Sequence, residues 1–425
     1  MFSRITVEYK IRFGVDSQIA INLDPEQLMS PADAPKFESP SSSVAESLQL
    51  ALDQPVNYPP LIESLVPGDQ VAVLLDPDVP CGGAIVQALL EYMSNLERKP
   101  SKVTVVLPGN AQQLHTEILE RCAGIPLDRD IVLHSADDPE QMSFLMANRH
   151  GEPVHINRHL TEADFVMPIL ATRLNGAFGY RGMYTGVYPT FCDAPARQRF
   201  QSAANLDSAR RQSEQRGETN EVGFSLGLHF VIHVVPGPDE SVLGIFAGES
   251  DSVHRAALAV AKPQWGRATG HPAQLVIAAL GGANQSWDAL ARLLFSVESF
   301  GEDDAIVVIC SDLDAPPGRA LQRLRNFDTD PDATFRELSK QNSDDALAAA
   351  LLARLRESHQ VFLCSRLDPD LVESFGIGVI AGSDDLTRLC RNQTVAIIED
   401  AQLICPIGNS ASITDDAVDA SSNSS

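Results

Sequence analysis

Residues 66–97, "VPGDQVAVLLDPDVPCGGAIVQALLEYMSNLE", hold three patterns in succession. Pro67-Gly68-Asp69 is a turn signal. The run "QVAVLLD" (70–76) is continuously apolar up to its closing charge, as a strand is when helices cover both faces of its sheet. Beyond the loop, "GGAIVQALLEYMSNLE" places its apolar residues at helical spacing. A second apolar run, "KVTVVLPG" (102–109), follows. The segment therefore predicts a strand, a crossover helix and a parallel strand, one βαβ unit.

Outward from that unit the same pattern repeats. "DIVLHS" (130–135) and "DFVMPILAT" (164–172) extend the first sheet. From about 222 to 248, "VGFSLGLHFVIHVV" and "SVLGIFAGE", joined by the turn-rich "PGPDE", predict an antiparallel hairpin at its edge. A second series of strands is predicted at 273–282, 304–312, 359–365, 377–382 and 394–400. The expected fold class is α/β with two domains, each a mostly parallel sheet flanked by helices, with an antiparallel hairpin near the end of the first. "AKPQWGRATGHP" (261–272) sets the boundary, giving domains at 1–262 and 273–408 and a disordered acidic tail at 409–425. The N-terminus "MFSRITVEYKIRFG" alternates like a strand, and residues 25–46 read as a surface excursion.

The chain has 425 residues and a formal net charge of -25. That charge argues against nucleic acid and against anionic membrane surfaces as partners, since both need a basic face. A small molecule or a protein is the expected partner. No apolar run approaches the ~18 residues of a membrane span, and the N-terminus lacks a secretory signal, so a cytoplasmic protein is expected. Seven scattered cysteines without CxxC spacing indicate neither a disulfide framework nor a zinc site.

In an open α/β sheet the ligand lies beyond the carboxyl ends of the strands, which directs attention to four loops. Asp76 and Asp78 flank Pro77, and Gly82 and Gly83 open a helix whose first N–H groups can cradle an anion; Asp-Pro-Asp is also ordinary turn chemistry. Gly109 ends the second strand, where a glycine also simply lets the chain turn. His134 closes the third strand beside Asp137 and Asp138, either as an acid/base or metal group or as a surface histidine capping a helix. His150, His155 and His159 fit no zinc spacing and read as solvent-exposed, while His229 and His233, four apart in a predicted strand, share a face. The Gly-Gly turn in "LGGANQSWDALARLL" (280–294) is a further anion-site candidate. "GAFGYRGMYTGVYPTF" (176–191), with four glycines and three tyrosines, reads as a cofactor cradle or as a tyrosine-packed domain junction.

Taken in order, these landmarks resemble the lactate racemase family that uses a nickel-pincer nucleotide, up to residue 408. "NYPPLIESLVPGDQVAVLLDPDVP" (57–80) is similar to the lead into the family's first ligand loop. "HGEPVHINRHLTEADFVMPI" (150–169) resembles the approach to its cofactor loop, and "VLGIFAGESDSVHRAAL" (242–258) the hairpin and helix before the interdomain linker. The resemblance implies racemisation or epimerisation of 2-hydroxy acids by hydride transfer. It implies a pyridinium mononucleotide tethered to lysine, nickel held with a histidine's help, and two histidines as base and acid. Carried over, the cofactor-binding positions are Asp76, Gly109, Gly179, Tyr180, Gly182 and Thr185, and the candidate catalytic groups are His134 and Asp76.

At the reactive positions the residue types differ from the family's. Val79 stands for an arginine, Ala111 and Asn175 for the two histidines, Thr185 for the tethering lysine, and Gln201 for the nickel-ligand histidine. Ala291 and Leu294 stand for a substrate-binding glutamine and lysine, and no lysine occurs between Lys102 and Lys262. The expectation is a lactate racemase-like pseudoenzyme with no metal ligand assigned, binding a small acid or nucleotide in the interdomain cleft. An active isomerase with an untethered or different cofactor, and a protein-interaction module, are the alternatives.

Overall fold

The structure is a computed structural model that describes residues 6–29, 42–174, 182–202, 205–206, 208–268, 272–325, 338, 343 and 345–407. It opens with an antiparallel hairpin, β1 (Val7–Phe13) and β2 (Ser17–Leu23), paired from Val7↔Leu23 to Phe13↔Ser17. Alternation puts Ile11, Phe13, Ile19 and Ile21 on one face, and that face packs on the second sheet, against Leu275, Ile277 and Val308.

The chain then forms β3 (Gln70–Leu75), β4 (Lys102–Leu107), β5 (Arg129–Leu133), a small antiparallel pair β6 (Met142–Ala147) and β7 (Pro153–Asn157), β8 (Phe165–Ala171), β9 (Phe230–Pro236) and β10 (Val242–Glu249). Six of these make the first sheet in the order β10-β9-β8-β3-β4-β5, parallel except for β10, which runs antiparallel to β9. Every residue of β3 after Gln70 is buried because both faces are covered. Val71, Val73 and Leu75 meet Ile85, Val86 and Leu89 of the helix Gly82–Ser94 on one side.

Beyond the helix Ser250–Trp265 come β11 (Gly266–Ala268), β12 (Ala273–Ala279), β13 (Gly301–Cys310), β14 (Gln360–Cys364), β15 (Gly378–Val379), β16 (Val395–Ile398) and β17 (Cys405–Ile407). The second sheet is parallel in the order β15-β14-β13-β12-β16, and β11 pairs with β17. On the other face of the first sheet, Ala72 and Leu74 belong to a core that runs through Tyr188 and Phe191 to Trp287 and Leu293 of the second domain. One apolar interior thus spans both units.

The two-sheet α/β architecture and the β9–β10 hairpin agree with the sequence reading, but residues 222–229 do not. The helix Ala209–Ser225 runs into them, and Gly227, at φ +67, ends it before β9 begins at Phe230. His229 is therefore exposed outside the strand while His233 is buried within it, so the two do not share a face. None of the described helices is long and apolar enough to cross a membrane.

Candidate functional site

A cleft of about 940 Å³ opens between the carboxyl ends of β3, β4 and β5 and the second domain. Its floor is a charge network. Asp76 follows the last residue of β3, and its Oδ2 accepts from the Ala171 N–H (3.0 Å) and from Arg173 Nη1 (2.7 Å). Its Oδ1 accepts from the Asp78 N–H (3.1 Å) and from Arg173 Nη2 (2.5 Å), which makes the guanidinium contact bidentate. Arg173 Nε also donates to Asp78 Oδ2 (2.8 Å).

Asp78 carries the network across the domains. Its Oδ1 accepts from Asn284 Nδ2 (2.6 Å) and from Arg292 Nη2 (2.8 Å), and Arg292 Nη1 reaches Asp288 at 2.8 Å. Asp76, Arg173 and Arg292 are 1%, 7% and 3% exposed, so these charges persist only because they are paired. Burial and the neighbouring Asp78 charge push the Asp76 carboxyl up, against the pull of Arg173. Burial also acts to raise Asp78, but the Arg292 and Arg173 charges outweigh it and hold that carboxyl well below the usual range.

Gly186 closes over this floor. Its φ is +101, and a Cβ there would lie 2.3 Å from Asp76 Oδ2, so only glycine allows the approach.

His134 lines the cleft but is 3% exposed. Asn157 Nδ2 lies 3.2 Å from its Nδ1, and its Nε2 lies 3.0 Å from the Cys192 carbonyl oxygen. An amide N–H can only donate and a carbonyl can only accept, so the ring is neutral with its proton on Nε2. Burial lowers its pKa to about 4, despite the hydrogen bond to Cys192. Neither ring nitrogen faces Asp137 or Asp138, the partners its sequence position offered; Asp138 caps the short helix Pro139–Gln141 instead.

Gly109 lines the cleft, and a Cβ on it would come within 2.4 Å of the His134 carbonyl oxygen. Thr185 is 4% exposed and is not among the cleft-lining residues; Gly182 lies behind it, its Cβ position 3.6 Å from Thr185 Oγ1. Gly179, Tyr180 and Asn175 lie outside the described residues. Of the tyrosine-rich loop, Gly186, Pro189 and Thr190 meet the cleft among the described residues. Tyr184 and Tyr188 are packed in the core, their hydroxyls donating to the Leu228 carbonyl (2.9 Å) and to Glu218 Oε1 (2.5 Å).

Val79 is buried in the first domain's core, and Ala291 and Leu294 are each 1% exposed in the helix Trp287–Val297. Gln201 Nε2 donates to Asp288 (3.3 Å), and its buried Oε1 has no partner among the described residues. His115 sits in the helix Gln112–Cys122 with Nε2 3.1 Å from the Ile131 carbonyl. His155 pairs with Asp193 at 2.9 Å. Among the described residues no three His, Cys, Asp or Glu side chains are grouped to hold a metal ion.

Sequence reasoning missed Arg173 and Arg292. The signal for Arg173 was a cation two residues beyond a buried strand, beside the strand that Asp76 follows. For Arg292 it was a cation four residues after Asp288 on an otherwise apolar helix, a spacing that puts both on one face.

Residues 15–200 match the family model described as the lactate racemase N-terminal domain. The lactate racemase apoprotein from Thermoanaerobacterium thermosaccharolyticum has a similar structure, with a TM-score of 0.76 and 17% identity over 94% of this chain and 100% of that one. A protein from Thermotoga maritima is similar with a TM-score of 0.64 and 13% identity, over 86% of this chain and 97% of that one. A search of curated protein sequences finds no match. Residues 15–200 thus match the lactate racemase N-terminal domain model, in a chain whose fold is similar throughout to that of the lactate racemase apoprotein.

Proposed function

We propose that this protein captures a small organic acid reversibly in the interdomain cleft and performs no covalent nickel-pincer chemistry. The observation that carries the reading is the state of His134. It is the one histidine among the described cleft-lining residues, and both ring nitrogens are committed to structural hydrogen bonds in a neutral ring with its pKa lowered to about 4. A general acid or base needs a nitrogen that faces the substrate and titrates near neutrality.

The side chains at the cofactor positions do not fit a covalently tethered nickel-pincer nucleotide. Thr185 offers a buried hydroxyl where the tether needs an amine, and no lysine is among the described cleft-lining residues. Asp76 is already saturated by Arg173 and two backbone N–H groups. Small-acid binding is supported by the cleft's size, within the range of ligand pockets, and by its walls. Arg197 from the first domain and Arg319 from the second both line it, with Asn110, Ser135 and Gln198 as neutral hydrogen-bonding groups.

Calorimetric titration with the two enantiomers of lactate and with longer 2-hydroxy acids, paired with chiral chromatography of the same mixtures, tests the reading. The expected result is saturable binding of at least one acid, weakened by Arg319→Ala, with its enantiomeric composition unchanged. Steady racemisation, or no binding by any acid tested, would overturn it.

A further inference from the structure

Cys310 and Cys364 end the neighbouring parallel strands β13 and β14 as direct register partners. One residue on, the Ser311 N–H donates to the Cys364 carbonyl at 2.9 Å, so the strands are still joined at this level. Register partners on adjacent strands point to the same face and lie about 4.8 Å apart at Cα, inside the roughly 4.4–6.8 Å that a disulfide spans. Both side chains belong to the apolar layer between the second sheet and the β1–β2 hairpin, Cys310 fully buried and Cys364 partly exposed.

We propose that Cys310 and Cys364 form a reversible dithiol–disulfide pair, a redox modification site at the carboxyl edge of the second sheet. Cys364 is the attacking partner. It meets solvent while Cys310 is fully buried, and the neighbouring Cys310 thiol lowers its pKa despite partial burial, whereas Cys364 and burial raise that of Cys310. Cys81, also partly exposed, donates its thiol to the Glu240 carbonyl (3.1 Å), and burial raises its pKa.

With hydrogen peroxide as oxidant, the Cys364 thiolate attacks one oxygen, the O–O bond breaks, and hydroxide leaves as a sulfenic acid forms. The Cys310 sulfur then attacks the Cys364 sulfur, the S–O bond breaks, and water leaves with the Cys310 proton. Two thiols are oxidised to one disulfide and one peroxide is reduced. The bond would lie beside Asp312, which accepts from the Ser17 hydroxyl (2.8 Å) and from Arg366 Nε (3.1 Å) where the hairpin docks.

The test uses the full wild-type chain. It is treated in the folded state with hydrogen peroxide, its remaining thiols are alkylated under denaturing conditions, and its peptides are mapped without reduction. The expected product is a Cys310–Cys364 cross-linked peptide, with loss of two alkylatable thiols from the seven, restored by dithiothreitol. Alkylation of both cysteines after treatment, over-oxidation of Cys364, or its linkage to any other thiol would overturn the proposal. In Cys364→Ser the remaining thiols should all stay alkylatable, and a disulfide from Cys310 in that variant would also count against it.

Discussion

Arg173 shows how much one side chain carries. It binds two buried aspartates with one guanidinium, and removing one partner of a buried ion network leaves uncompensated charge, at a cost of about 3–5 kcal/mol. Arg173→Met should lower the urea-derived stability by about that much, and a loss under ~1 kcal/mol would mean the network is slack. Buried groups set the pH dependence, with both signs. Asp78, held low, contributes stability that is fully present above the unfolded carboxylate value near ~4 and lost as pH falls through its lower folded value. His134 and His233, lowered to about 4 and about 3 chiefly by burial, are protonated first in the unfolded chain, so their contribution is lost as pH drops below ~6.5. Asp400 has the opposite sign: burial raises it to about 7, and its contribution fades as pH rises through that value. His134→Gln keeps a donor and an acceptor but cannot titrate. It should shrink the stability difference between pH 7 and pH 5 by roughly 1–2 kcal/mol, and an unchanged difference would show that His134 is not buried neutral. At this scale the sequence was only partly legible. The rule that ligands lie beyond strand ends pointed to Gly109 and His134, which line the cleft, and to Asp76, which follows β3, but Arg173 reaches Asp76 from 97 residues away, a meeting between distant parts of the chain.

The loop from Gly182 to Cys192 is where an element's shape depends on the charges beneath it. Gly186 and Gly68 have nearly equal backbone angles, φ +101 and +98, but a Cβ at Gly68 meets nothing within 4 Å while one at Gly186 meets the Asp76 carboxylate. Gly68→Ala should therefore destabilise by about 1 kcal/mol, from backbone strain alone, and Gly186→Ala by clearly more, about 2–4 kcal/mol. Equal losses would mean that the loop does not press on the ion cluster. Elements with one strong period were readable. The buried runs of β3, β4 and β12 and the helix between β3 and β4 fall where apolar spacing put them. The β6–β7 pair was not read, because "MSFLMA" neither alternates nor buries one face. Residues 222–229 misled because "VGFSLGLHF" imitates alternation while a helix C-terminus occupies it.

Across the whole molecule the two domains share a core and a polar tie. Asp78 of the first domain meets Arg292 of the second, and Leu74 and Leu293 belong to one continuous apolar interior. Cooperative unfolding follows from that continuity. The two tryptophans report on opposite sides: Trp265 ends the helix after the first sheet and Trp287 begins a helix of the second domain. Trp265→Phe and Trp287→Phe should each leave a fluorescence transition that coincides with the far-ultraviolet one, and separated midpoints would show domains that unfold alone. The proposal that a lactate racemase-like fold serves here without a covalent cofactor is tested by the intact mass and nickel content of protein made in cells that also produce the pincer nucleotide. The expected result is the mass of the unmodified chain, with far less than one nickel per molecule; a covalent nucleotide adduct carrying stoichiometric nickel would contradict it.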